Sequence, residues 1–231
     1  LPGNGGATRW LTEKKSQIDS KTVGIVSFKR KVVVFGQNST EIFYDAGMIP
    51  MPFQRTNTIS IEYGCISANS IATGYGLVFW LGESKDSSPE LMVSNGGAPE
   101  VIDDGDISYY INQLEDVAAC EAFVYQVNSH IFYQINWATA NKSLLYDYTS
   151  KKFSIVTNPD YGVHPLKFLT RFGGTHYALS RQDGFLYEFD VDLTNENGRA
   201  VLRTIISKNY NNRNEKFSVG KLQFQIEQGI S

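Results

Sequence analysis

The sequence predicts an all-β chain of repeated antiparallel blades, propeller-like, with about four blades and part of another. Three observations predict it. Apolar residues alternate with polar ones or gather in short β-branched and aromatic runs, each stopped by Gly, Asn, Asp or Pro. Apolar residues at helical spacing are almost absent. Four hairpin-like units carry an apolar pair, and their markers Phe43, Met92, Phe132 and Tyr187 lie 49, 40 and 55 residues apart. These intervals straddle the roughly 40–50 residues of a four-stranded blade. A β-sandwich, or two small β-domains, gives similar strand spacing and is the rival architecture.

The first unit runs from Val23–Phe28 through Arg30–Gly36 to Thr40–Gly47, with a turn signal at Gly36-Gln37-Asn38. The second comprises Asn69–Glu83 and Pro89–Gly97, carrying the pair Leu91-Met92. The third, Glu121–Trp137 with Ser143–Val156, turns at Asn128-Ser129 and again at Lys151-Lys152. The fourth, Leu166–Val191 and Arg199–Ser207, turns at Gly173-Gly174 and Gln182-Asp183-Gly184. Gly, Asn and Asp tolerate the positive φ that tight hairpins need. Lys216–Ser231 reads as the opening strand of a further unit, since Leu222, Phe224 and Ile226 alternate with polar residues. At most one short helix is expected, near 104–120, where Ile107, Tyr110, Ile111 and Leu114 fall at helical spacing behind a possible Asp106 cap. Residues 1–22 read as an N-terminal extension or linker, and 23–231 as the propeller-like domain, a fragment or processed piece of a longer chain.

Composition narrows the function classes. With 231 residues, 42% hydrophobic and only 19% charged, the chain has enough apolar material for a core and is not a disordered polyelectrolyte. No apolar run reaches the 18 or so residues of a membrane span. A net charge of −3 lacks the basic footprint of a protein that grips nucleic acid along its whole surface. Cys65 and Cys120 form no disulfide framework and lack metal-ligand spacing, which suits a reducing compartment. "LPGNGGATRW" has no basic segment followed by an apolar one, so it is not a signal peptide.

No catalytic, cofactor-binding or metal-ligating residue is nominated, and no cofactor is expected. His130, His164 and His176 are scattered and have no second His or Cys at ligand spacing. Asp103, Asp104 and Asp106 are explained by a loop and a helix cap. The stretch with Asp190, Asp192, Asn195, Glu196 and Asn197 fails the calcium-loop pattern, having Asn195 at its sixth position and Val201 at its twelfth. Ser180–Phe189 has the composition of an Asp-box turn with the Asp one residue too late, and reads as a hairpin. Cys65 has no nucleophile-elbow glycines, and Gly96-Gly97-Ala98-Pro99 is a turn. Lys29-Arg30-Lys31 sits at a hairpin turn, as solvated charge or a local phosphate contact. Phe79–Glu83 and Tyr133–Trp137 have the aromatics to stack on sugars, although strand packing accounts for most of those rings.

One stretch carries a resemblance. Phe35-Gly36, Ser39-Thr40-Glu41, Phe43-Tyr44, Pro52-Phe53-Gln54-Arg55, Ile61-Glu62-Tyr63-Gly64-Cys65, Asn69-Ser70-Ile71-Ala72 and Phe79-Trp80-Leu81-Gly82 stand in order along the chain. With Ala98–Ile111 and the terminal "VGKLQFQIEQG", they resemble the packaged-DNA stabilisation proteins, or tail accessory factors, of short-tailed bacteriophages. The match is good over roughly 23–115 and loose elsewhere. The resemblance implies a non-enzymatic virion structural protein at the tail and portal vertex that closes the channel on packaged DNA. Its implied partners are other tail and portal-vertex proteins and further copies in a homo-oligomeric ring, with nucleic acid contacted at most indirectly. Assembly in the bacterial host cytoplasm is implied too. A carbohydrate-binding or glycan-hydrolysing propeller at the host surface is the rival reading, and an exposed Trp80 or Trp137 ringed by acids is the feature that would favour it. A repeat scaffold that binds protein in a cell is a third.

Overall fold

The computed structural model describes residues 21–48, 52–56, 61–102, 105–190, 192–193, 195–196, 198–200, 204 and 221. The chain divides into two compact units, Leu1–Phe189 and Asp190–Ser231. Among the described residues of the second, a short hairpin pairs Asn195–Glu196 with Arg199–Ala200. The rest of Arg199–Ser207 except Thr204, and almost all of Lys216–Ser231, lie outside the described residues, as do Asp103, Asp104 and the first twenty positions.

The first unit contains four antiparallel sheets whose strand order follows chain order. Sheet one comprises β1 (Thr22–Phe28), β2 (Lys31–Gly36), β3 (Thr40–Asp45) and β4 (Phe53–Arg55). Sheet two comprises β5 (Ala72–Gly74), β6 (Leu77–Gly82), β7 (Glu90–Ser94) and β8 (Glu100–Ile102). Sheet three comprises β9 (Glu121–Val127), β10 (His130–Trp137), β11 (Lys142–Asp147) and β12 (Lys152–Ile155). Sheet four has β13 (Leu166–Phe172), β14 (Thr175–Ser180) and β15 (Leu186–Phe189). Four-stranded meanders repeated in tandem are the blades of a propeller. Their third strands begin at Thr40, Glu90, Lys142 and Leu186, at more even intervals of 50, 52 and 44 residues. The marker Phe132 lies in a second strand, β10, whereas Phe43, Met92 and Tyr187 lie in third strands. Ile131-Phe132 has the same apolar character as the true pair Leu144-Leu145, so a local pattern does not separate the two.

Each sheet opens with a two-residue hairpin in which both residues have positive φ: Lys29-Arg30, Tyr75-Gly76, Asn128-Ser129 and Gly173-Gly174. Such turns match the right-handed twist of the strands they join. The run Asn69–Glu83 is therefore two strands, preceded by a single 3-10 turn at Ala68–Ser70. The helix α1 (Asp106–Asn112) is shorter than 104–120. Its cap is Gly105, with φ of 82°, and Asp106 is the first helical residue, adding a favourable charge to the first turn instead of capping it. Ile107 and Ile111 are buried, which the helical spacing required.

The sheets pack face on face, and each seam carries an aromatic pair. Phe35 meets Trp80 edge-on between sheets one and two, with centroids 5.3 Å apart. Phe79 stacks on Tyr133 at 4.9 Å between sheets two and three, and Tyr125 meets Phe189 at 5.3 Å between sheets three and four. Sheets one and two share a core of Phe28, Val33, Phe35, Ile42, Val78, Trp80 and Met92. Sheets two and three share a larger one, closed at its edge by α1, Leu114 and Cys120. A strap at 61–66 runs between sheets one and two. Cys65 N–H donates to Gly36 O, Gly64 N–H to Glu83 O and Ile66 N–H to Leu81 O.

Candidate interaction surfaces

Chain order fixes which connections share an end. In a meander the first and third connections fall at one end of the sheet, and the second connection and the exit fall at the other. Contacts between sheets show that the four are in the same sense. Lys29 Nζ donates to Asn95 O, joining the first connection of sheet one to the third connection of sheet two at 2.7 Å. Tyr75 Oη lies 3.0 Å from His176 Nε2, joining the same end of sheets two and four. The first and third connections make the turn end, and the others make the loop end.

The two ends differ in charge. Among the described residues, the connecting segments of the turn end hold Lys29, Arg30 and Lys151, and the exit from β15 at that end begins with Asp190. Those of the loop end hold Glu62, Glu83, Asp86, Asp106, Glu115, Asp116, Asp160 and Asp183 against Lys21, Lys85 and Arg181. Strand termini at the turn end add Lys31, Lys152 and Arg171, and also Asp45, Glu100, Asp147 and Glu188. Two of these carboxylates have local work: Asp45 accepts the Gly47 N–H, and Asp147 takes a 2.7 Å contact from His130 Nδ1. Partial burial pushes the Asp147 carboxyl up, but bonds from Ser150, His130 and the Thr149 and Ser150 amides outweigh it and hold it below the usual range.

The histidines are spent on structure. His130 opens β10 beside its turn and pairs with Asp147. His176 is buried against Tyr75 and Tyr125, and desolvation, then the Arg171 charge, lowers its pKa. His164 sits in a polar seam between sheets three and four. Burial first, and the Arg181 guanidinium second, bring it down to about 4, so it is neutral near pH 7. In that seam Arg181 donates to His164 O and Leu166 O and pairs with Glu121 at 3.0 Å, and Lys167 reaches the other Glu121 oxygen at 3.1 Å. Asn136, fully buried, donates to Leu166 O and accepts from Gln134. A buried polar network of this kind fixes how two sheets meet.

The remaining candidates resolve similarly. Trp80 and Trp137 are 1% and 0% exposed, each giving its indole N–H to a backbone carbonyl, of Gly64 and Val117. Neither can be the sugar platform that the glycan reading needs. Cys65 and Cys120 are buried thiols, and burial raises both, that of Cys120 to about 12. They are protonated and weakly nucleophilic. Ser180–Phe189 is a hairpin: Ser180 Oγ accepts the Gln182 N–H, Asp183 accepts the Phe185 N–H, and Tyr187 Oη donates to Asp183. Those bonds, Tyr187 first, lower the Asp183 pKa. Among the described residues no group of three or more His, Cys, Asp or Glu is placed to hold a metal, and no helix is long and apolar enough to cross a membrane.

One face of sheet four is apolar and exposed. Cross-strand register sets Phe168 opposite Leu179 and Leu179 opposite Leu186, all exposed, with Phe172 at 79% beyond them. The opposite face, with His176 and Phe189, packs on sheet three.

A family model, Phage_stabilise, described as Bacteriophage P22 Gp10, beta-propeller, matches residues 11–159. No curated protein matches the chain.

Proposed function

The chain belongs to the Bacteriophage P22 Gp10 β-propeller family, whose members are phage virion structural proteins, and on that premise we propose that it acts in the tail at the portal vertex, closing the channel and keeping packaged DNA inside. The observation that carries this reading is the family match, which runs through all three four-stranded sheets. The physical character of those sheets supports it. They are locked by aromatic pairs at each seam and a backbone strap, while the histidines, the cysteines, Trp80 and Trp137 are consumed in holding the body together. A body of that kind works by shape and contact area. Its partners are other tail and portal-vertex proteins and further copies of itself.

The test is DNA retention by filled capsids assembled without the protein, with and without the full-length protein added back, read as nuclease-accessible DNA. Protection on addition is the expected result. Equal leakage in both arms would sink the channel-closing role and leave only the virion assignment.

A further inference from the structure

The connection from β12 to β13 is a closed loop with one aromatic ring on its outside. Five of its successive amides are held. Asp160 and Gly162 N–H donate to Asn158 Oδ1 at 2.9 and 2.7 Å, and Tyr161 N–H donates to Asn158 O at 3.0 Å. Val163 N–H donates to Asn141 Oδ1 at 2.7 Å, and His164 N–H to Ser143 Oγ at 2.9 Å. Asn158 N–H returns to Gly162 O and ties the loop across its base. Both Asn side chains crowd Gly162, where a Cβ would stand 2.7 Å from Asn141 Oδ1. Asn side chains that bond nearby backbone in this way make a loop rigid without help from outside it.

Tyr161 stands at the tip, with φ of 62° and 70% exposure. A bulky residue in the left-handed region is an outlier, and Gly or Asn would hold the same backbone at less steric cost. Among the described residues, two tyrosines have positive φ. Tyr75, at 51°, reaches His176 with its hydroxyl, which accounts for a ring at that turn. The Tyr161 side chain has no hydrogen bond or ring contact among the described residues. An outlier that the fold itself does not use points to function. Tyr suits an interface, because few torsions fix a large ring with a hydroxyl at its far end. A loop already rigid before binding loses little entropy when its ring is seated.

We propose that Tyr161 is the anchor by which this loop docks on a different protein of the virion, its ring entering an apolar slot that ends in an acceptor for the hydroxyl. This deepens the reading of the chain as a tail component and rests on it. A sugar is the less suited occupant. Stacking on a glycan needs polar side chains beside the ring to orient the ligand, and the Oδ1 atoms of Asn141 and Asn158 are turned onto their own loop.

Capsids assembled without the protein supply the docking surface, and attachment of added full-length protein is followed by co-sedimentation across a range of concentrations. Tyr161→Gly separates a structural ring from an anchoring one. It relieves the backbone at φ 62° and removes a ring that lies mostly in solvent, so the denaturant midpoint holds or rises. Attachment weakens by about tenfold or more. Tyr161→Phe keeps the ring, and it attaches better than Tyr161→Gly and less well than wild type. A fall in midpoint for Tyr161→Gly, or attachment at wild-type strength, overturns the anchor. Wild type that fails to attach sinks the vertex reading and the anchor with it. Wild type that attaches, beside a Tyr161→Gly variant that attaches equally, sinks the anchor alone, whatever DNA retention shows. Purified host cell-surface polysaccharide provides the last arm. Loss of polysaccharide binding in Tyr161→Gly with capsid attachment intact would reassign the ring to a glycan.

Discussion

At position 64 a single methyl group has nowhere to go. A Cβ on Gly64 would lie 1.9 Å from the carbonyl oxygen of Gln37, in the short connection after β2, where the Gln37 N–H is bonded to Lys21 O. Neither segment yields easily, because the strap is bonded to sheet one at Cys65 and to sheet two at Gly64 and Ile66. Gly64→Ala is expected to cost about 3 kcal/mol or more, read as a fall in the urea midpoint. A shift within experimental error would mean the strap is looser than its bonds imply. His164 sets a second prediction at this scale. Its folded-state pKa, about 4, lies below the 6.5 of a free imidazole, so between those values the unfolded chain binds the extra proton. Stability is therefore full above pH 6.5 and is lost as pH falls toward 4, by an amount on the order of 3 kcal/mol. His164→Asn keeps an acceptor near the Leu166 N–H, 3.4 Å from Nδ1 in the wild type, and should flatten that part of the stability–pH curve. An unchanged curve would place the proton elsewhere.

Among the elements, the first hairpin places two long charged residues, Lys29 and Arg30, at positive φ. Arg30→Gly removes the left-handed penalty at φ 62° and should stabilise the fold by about 1 kcal/mol, seen as a higher denaturant midpoint. The elements also show how far the sequence can be read. Asn128-Ser129 and Gly173-Gly174 announce their turns because their residue types tolerate positive φ. Tyr75-Gly76 hides inside an apolar run, and β5 and β6 read as one strand. Asp106 has the chemistry of a cap, yet the glycine before it takes that place, since a φ of 82° suits Gly alone. Phe132 marks the wrong strand because the second and third strands of a buried sheet are equally apolar. The candidate surfaces were legible only in part. Lys29-Arg30-Lys31 is visible as a charged turn, but which other connections share its end is not. That partition depends on whether a connection is odd or even in its meander, which local residues do not encode.

For the whole first unit, the uneven coverage of its sheets predicts uneven opening. Sheets two and three are packed on both faces, with Phe79, Leu81, Tyr133 and Ile135 fully buried, whereas sheet four shows Phe168, Leu179 and Leu186 to solvent. Native-state hydrogen exchange should find β6 and β10 slowest and β13–β15 appreciably faster. Equal protection throughout would mean that the face of sheet four is covered in solution. The strand order of the sheets has a consequence in time. Every ladder pairs neighbours in the chain, so each sheet can close as soon as its own residues leave the ribosome, with no need of strands still to be made. The bond from Tyr75 to His176 spans 101 residues and cannot form until the fourth sheet has been made. Synthesis thus delivers preformed sheets one after another, and that bond forms among the last, marking the moment when separate hairpins become one body.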